Sequence, residues 1–111
     1  MKFLILDENP GFRKFIKKLI TANNDECIQT ENSPHLKSAL KKYQPDWIVI
    51  DINLKKENAF QVAREIRREN PAIKIALLSD FDDVRLRKKA KEAGATAFIS
   101  KENLTDFYKI L

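Results

Sequence analysis

The sequence predicts an α/β fold: a parallel sheet with helices packed on both of its faces. Three observations carry this. Segments of strand character alternate with segments of helical periodicity, five times over, which is the pattern of repeated βαβ units. The strand segments are nearly unbroken apolar runs, as strands buried on both faces require. The 111 residues also contain no linker, internal repeat or compositional break that would divide them into two domains.

Each element has its own signal. Phe3 to Leu6 is a short apolar run suited to a buried strand. Asn9-Pro10-Gly11 breaks it, and Pro10, with its fixed φ and missing N–H, is placed to start a helix. Phe12, Phe15, Ile16, Leu19 and Ile20 then fall at helical spacing. A weaker strand covers Glu26 to Thr30. Ser33-Pro34 reads as an N-cap and first helical residue. Leu36, Ala39, Leu40 and Tyr43 repeat the helical stripe until Gln44-Pro45-Asp46 ends it. Trp47 to Ile52 is the most continuous apolar strand. Ala59, Val62, Ala63 and Ile66 form the next helical face, stopped by Asn70-Pro71. Ile73 to Leu78 is strand-like. Asp82-Asp83 can cap a helix running to Ala93, and Gly94 suits the position just past its end. Ala95 to Ile99 is the fifth strand. Leu104, Phe107, Tyr108 and Leu111 begin a last helix that the chain end cuts short, as expected of a piece of a longer protein.

Composition excludes several classes. With 43% hydrophobic and 33% charged residues, 2 glycines and 4 prolines, the chain is expected to fold and to stay in solution. No apolar run approaches the ~20 residues of a membrane span, and MKFLILDEN turns acidic too soon for a signal peptide. A single cysteine, Cys27, excludes an intramolecular disulfide and a Cys-rich metal site, so a reducing, cytoplasmic setting is expected. The net charge is +5 and the pI about 9.4. The basic residues are spread over positions where helices face water, without interleaved aromatics. They predict solvated helix faces rather than a nucleic-acid footprint.

In an open α/β sheet, sites form at the carboxyl ends of the strands. Asp7 and Glu8 follow the first strand, Asp51 lies at the end of the third, Ser79 follows the fourth and Lys101 the fifth. Parallel strands aim all of these at one rim. Three carboxylates there repel one another, and a hard dication such as Mg²⁺, which prefers oxygen ligands, relieves this. Lys101 and Ser79 supply the charge and the hydroxyl that a phosphoryl group needs. Asp51 is then a carboxylate nucleophile, and a charge in a buried strand needs such a partner or purpose.

The ordered set resembles the receiver domain of bacterial two-component response regulators. KFLILDEN carries the acidic pair, WIVIDIN the phospho-accepting aspartate, IALLSD the hydroxyl position, and GATAFISKENL an aromatic followed by the lysine. The resemblance covers essentially the whole chain. It implies a flavodoxin-like, CheY-like fold: a five-stranded parallel sheet of order 2-1-3-4-5 flanked by five helices, the last truncated. It implies that Asp51 accepts a phosphoryl group from a sensor histidine kinase or phosphotransfer protein. Mg²⁺ would be bound by Glu8 and Asp51, by the main-chain carbonyl of Asn53, and through water by Asp7. Ser79 and Lys101 would contact the phosphoryl oxygens, and Phe98 stands at the position of the aromatic switch residue. The readout face implied is the fourth helix, fifth strand and fifth helix, and some subgroups form homodimers through the first and fifth helices. Such a domain is a switch rather than a conventional enzyme: it catalyses only its own phosphorylation and dephosphorylation.

Three departures stand out. Lys55 and Ala59 replace a frequent proline and glycine after the phospho-accepting aspartate, and Asp80 replaces a small residue after the hydroxyl position. They motivate a second reading, a degenerate receiver acting as a phosphorylation-independent interaction module. A phosphohydrolase would want an acid two residues after its nucleophile, where this chain has Asn53. Nucleic acid is expected only as the ligand of an output domain beyond Leu111. His35 and Cys27 have no part in the expected chemistry.

Overall fold

The computed structural model describes residues 1–111. Five strands form one parallel sheet: β1 (Lys2–Leu6), β2 (Glu26–Thr30), β3 (Trp47–Asp51), β4 (Lys74–Ser79) and β5 (Ala97–Ser100). Their spatial order is β2-β1-β3-β4-β5, the order the resemblance implies. Between them run α1 (Pro10–Ala22), α2 (Ser33–Tyr43), α3 (Ala59–Glu69) and α4 (Val84–Glu92). A 3₁₀ segment, Lys101–Asp106, leads into a single closing turn, α5 (Phe107–Ile110). No helix is long and apolar enough to cross a membrane.

Alternation along the strands builds two cores. Phe3, Ile5, Val49, Leu78 and Ile99 face α1 and α5, which contribute Ile16, Ile20 and Phe107. Leu4, Leu6, Ile48, Ile50, Ile75 and Leu77 face α2, α3 and α4, which contribute Leu36, Val62, Ala63, Ile66 and Ala90. Each large side chain so buried stabilises the fold by roughly 1.5–3 kcal/mol in transfer terms. Cys27 lies half-buried on the edge strand β2, and burial pushes its thiol up to about 11. Trp47 is buried at the start of β3, at the far end of that strand from Asp51.

Apart from one-residue shifts at strand ends, the element boundaries carry two corrections. The N-cap of α2 is Asn32, whose side chain accepts from His35 N, and Ser33 is already helical. The reason is long-range: Glu57 takes the Ser33 N–H at 2.9 Å and the Ser33 hydroxyl as well. The fifth strand begins at Ala97 rather than Ala95. Ala95 N donates to Ala90 O, and Gly94 N to Lys91 O, a Schellman closure of α4 that consumes both residues.

That closure depends on Gly94 and Arg67. Gly94 has φ +87°, and a Cβ built there would meet Arg67 Cγ at 2.7 Å. Arg67 is not merely a solvated helix residue. Its Nε donates to Gly94 O at 2.9 Å and its Nη1 to Pro71 O at 2.9 Å and to Ile73 O. Gly94→Ala is therefore expected to lower unfolding stability by about 1–2 kcal/mol, through backbone strain and displacement of that guanidinium. Urea denaturation checks this; an unchanged midpoint would contradict it.

Candidate functional site

The chain leaves β1 for one side of the sheet and returns to β3 on the other, so the crevice between their carboxyl ends lies at the topological switch point. Asp7 directly follows β1, and Asp51 is the last residue of β3. A cleft of about 480 Å³ opens there, lined by Asp7, Glu8, Asn9, Pro10, Asp51, Asn53, Lys55, Asp80 and Lys101, all polar or charged but Pro10.

Asp51 forms the floor and is 5% exposed. Its Oδ1 accepts from Asn53 N at 2.9 Å, and its Oδ2 lies 2.6 Å from Lys101 Nζ. Lys101 has two further partners: Asp80 Oδ1 at 3.2 Å, and the Phe12 ring, whose centroid is 4.1 Å away. Burial alone would pull the Lys101 ammonium down. Its bond to Asp51, with Asp80 adding to it, outweighs this and holds it above its ordinary value.

Asp7 is 2% exposed. Its Oδ1 accepts from Asn9 N at 2.8 Å, while its Oδ2 is buried with no hydrogen-bond partner. Burial raises its carboxyl to about 6; the Asp51 charge adds to this, and the Asn9 N–H and Lys101 oppose it. Glu8 is set differently. Both its oxygens are taken by main-chain donors of the loop between β3 and α3, residues 52–58: Lys55 N at 2.6 Å and Lys56 N at 2.9 Å. The Lys55 N–H in particular holds its carboxyl below the usual range.

The structure thus gathers Asp7, Glu8, Asp51, Asn53 and Lys101 around one cleft, but no three acidic or imidazole side chains converge on a single point. Ser79, at the end of β4, is 1% exposed and does not line the cleft; its Oγ accepts from Phe81 N at 3.2 Å. Phe98 is buried against the α2–α4 layer, with the Arg87 guanidinium carbon 5.0 Å from its ring centroid. Sequence reasoning placed Phe12 in a helical stripe and read Asp80 only as a departure from the family pattern. Their shared engagement of Lys101 has no local signal, because it joins three separate loops and helices.

The comparisons with known proteins agree with this geometry. The family model described as the response regulator receiver domain matches residues 3–110. The transcriptional regulatory protein DegU of Brevibacillus brevis is 27% identical over 104 residues, 92% of this chain and 44% of its own length. The Fimbriae Z protein of Salmonella typhimurium is 29% identical over 108 residues, 95% of this chain and 51% of its own. The chain therefore spans about half the length of these curated relatives. Among solved structures, the Vibrio cholerae chemotaxis protein CheY4 superposes with a TM-score of 0.87, covering 99% of this chain and 98% of its own, at 18% identity. At that identity the superposition speaks for the fold alone; the family match speaks for the rest. With the strand order and the acidic rim around Asp51 as its structural counterpart, that match identifies the chain as a member of the response regulator receiver domains of two-component systems.

Proposed function

We propose that this domain is a phosphorylation switch, in which Asp51 takes a phosphoryl group from a sensor histidine kinase or phosphotransfer protein with Mg²⁺ in the same cleft. The observation that carries the reading is the Asp51–Lys101 pair: a nearly buried carboxylate on an open polar cleft, 2.6 Å from an ammonium. One Asp51 oxygen attacks phosphorus. The bond from phosphorus to the donor imidazole nitrogen breaks, and the imidazole leaves with that electron pair. Lys101 stays beside the reacting oxygens and offsets the charge they carry. Ser79, buried outside the cleft lining, would turn its hydroxyl toward a phosphoryl oxygen; its Oγ acts only as an acceptor, from Phe81, so its hydrogen is not already committed. Phe98 would follow Ser79 and pass the change to the face of α4, β5 and α5.

The residues fit a hard dication. The donor set is all oxygen, and the buried, unpartnered Asp7 Oδ2 is the atom a cation would satisfy. Asp7, Glu8, Asp51 and the Asn53 carbonyl would hold it. When bound, it supplies positive charge that screens the carboxylates from the incoming phosphoryl oxygens. The partners, the coupling to an output domain and any homodimer belong to the same proposal.

The test is a titration with beryllofluoride, a phosphoryl mimic, followed by amide chemical shifts. Saturation only in the presence of Mg²⁺, with shifts at Asp51, Ser79 and Lys101, is expected. Shifts confined to remote surfaces would overturn the reading. Asp80 gives a further prediction, since it competes with phosphoryl oxygens for Lys101 and adds negative charge at the entrance. Removing an interaction of up to about 1 kcal/mol at an exposed acid corresponds to a rate gain of up to ~5-fold for Asp80→Ala with acetyl phosphate. A slower Asp80→Ala would show that Asp80 assists instead.

A further inference from the structure

Glu8 is one of the groups assigned above to hold the cation, and in the structure it is already engaged. Two successive N–H groups, of Lys55 and Lys56, each take one oxygen of the same carboxylate across 47 residues of chain. Beside it, Asp7 Oδ2 is buried, in a residue 2% exposed, with no partner at all. The cleft therefore contains one candidate ligand waiting for a cation and another whose oxygens are occupied.

We propose that the Lys55 and Lys56 amides form a latch on Glu8, so that a dication must draw Glu8 off them to bind, and its binding frees those two amides while Asn53 stays at the site. The inference rests on the metal-holding role proposed above and adds the regulation of that site.

Hydrogen bonds from N–H to a carboxylate are charge-assisted and about twice as strong as neutral ones. The latch therefore competes with the cation for the negative charge and the orientation of the same carboxylate. Release is feasible because Lys55 and Lys56 are exposed: their freed N–H groups meet water rather than a void, so no buried donor is orphaned. The coupling is reciprocal. Whatever steadies the two amides on Glu8 weakens cation binding, and the cation in turn frees the amides. The device also depends on the residue type at position 55, because a proline there has no N–H to give.

Two measurements test this. Amide hydrogen exchange is followed on the wild-type protein with Mg²⁺ and with NaCl at matched ionic strength. Mg²⁺, and not NaCl, should speed exchange of the Lys55 and Lys56 amides by at least about tenfold. Calorimetric Mg²⁺ titration then compares Lys55→Pro with Lys55→Ala. Both variants lose the lysine charge, but only the first loses the N–H, and it should bind Mg²⁺ about tenfold more tightly than the second. If Lys55→Pro does not fold, the exchange measurement decides alone. Mg²⁺ uptake with both amides still protected, or equal affinities in the two variants, overturns the latch and leaves the metal site standing. A wild-type protein that takes up no Mg²⁺ overturns both.

Discussion

An Asp51→Asn protein is expected to incorporate no phosphoryl group from acetyl phosphate, where the wild-type protein gains one. The substitution is close to isosteric, and its structural effect is confined. The oxygen of the introduced amide can still accept from Asn53 N, which in the wild type lies 2.9 Å from Asp51 Oδ1. Lys101 retains Asp80 and the Phe12 ring. The strand itself is held by main-chain pairing to β1 and β4 and by the fully buried Ile48, Val49 and Ile50. What disappears is the nucleophile. A neutral amide oxygen has little of a carboxylate's capacity to form the phosphorus–oxygen bond. Intact-mass measurement reads the result, and circular dichroism confirms that the fold persists. A mass gain surviving in Asp51→Asn would mean that another carboxylate of the cleft, Asp7, Glu8 or Asp80, takes the group, and the assignment of Asp51 would fall.

The strength of that assignment comes from how the site was legible. Asp51, Asp7 and Lys101 could be placed from sequence because each closes a strand segment, WIVI, FLIL or AFIS, that is apolar but for Ser100. Parallel strands deliver their carboxyl ends to one rim. The strands could be read because both their faces are buried, which forces continuous apolar runs. The start of α2 was less legible. Asn32 and Ser33 are both good capping residues, and the choice is made by Glu57, 24 residues away. The same holds inside the cleft. Glu8 looks like any acid beside another in KFLILDEN, yet its hydrogen-bond partners are two main-chain amides in a different loop. Arg67 sits among basic residues on a helix face, yet it binds the carbonyls of Pro71, Ile73 and Gly94 beyond its own helix, which come within reach only once the chain has folded. Periodicity reports which elements form and which ends they share. It carries no record of which donor a long side chain finally meets.

Asp7→Asn should make the metal-free protein more stable near neutral pH, by up to ~3 kcal/mol, because the Asp7 carboxyl rises from 3.8 to about 6 on folding. The sign follows from proton counting. Below about pH 4 the group is protonated in both folded and unfolded chains and contributes nothing to the difference. Between about pH 4 and pH 6 the folded chain keeps the proton and the unfolded chain releases it, so stability falls as pH rises. Above pH 6 the penalty is complete: a carboxylate stands charged, 2% exposed, near Asp51 and with one oxygen unpartnered. The amide of the variant removes the charge and keeps an oxygen for the Asn9 N–H, which Asp7 Oδ1 accepts in the wild type. Denaturation in EDTA from pH 4 to pH 7 should therefore show a decline in wild type that is shallower in Asp7→Asn. The two proteins should also differ in their response to Mg²⁺, which restores stability to the wild type and does little for Asp7→Asn. Parallel pH curves in EDTA would show that the Asp7 carboxyl titrates alike in the folded and unfolded chains. A wild type that declines as expected but gains nothing from Mg²⁺ would leave the strain real and its purpose wrong. The two outcomes separate the energetics of the acidic rim from its function, because a buried acid left without a partner weakens the fold whether or not a cation ever arrives to relieve it.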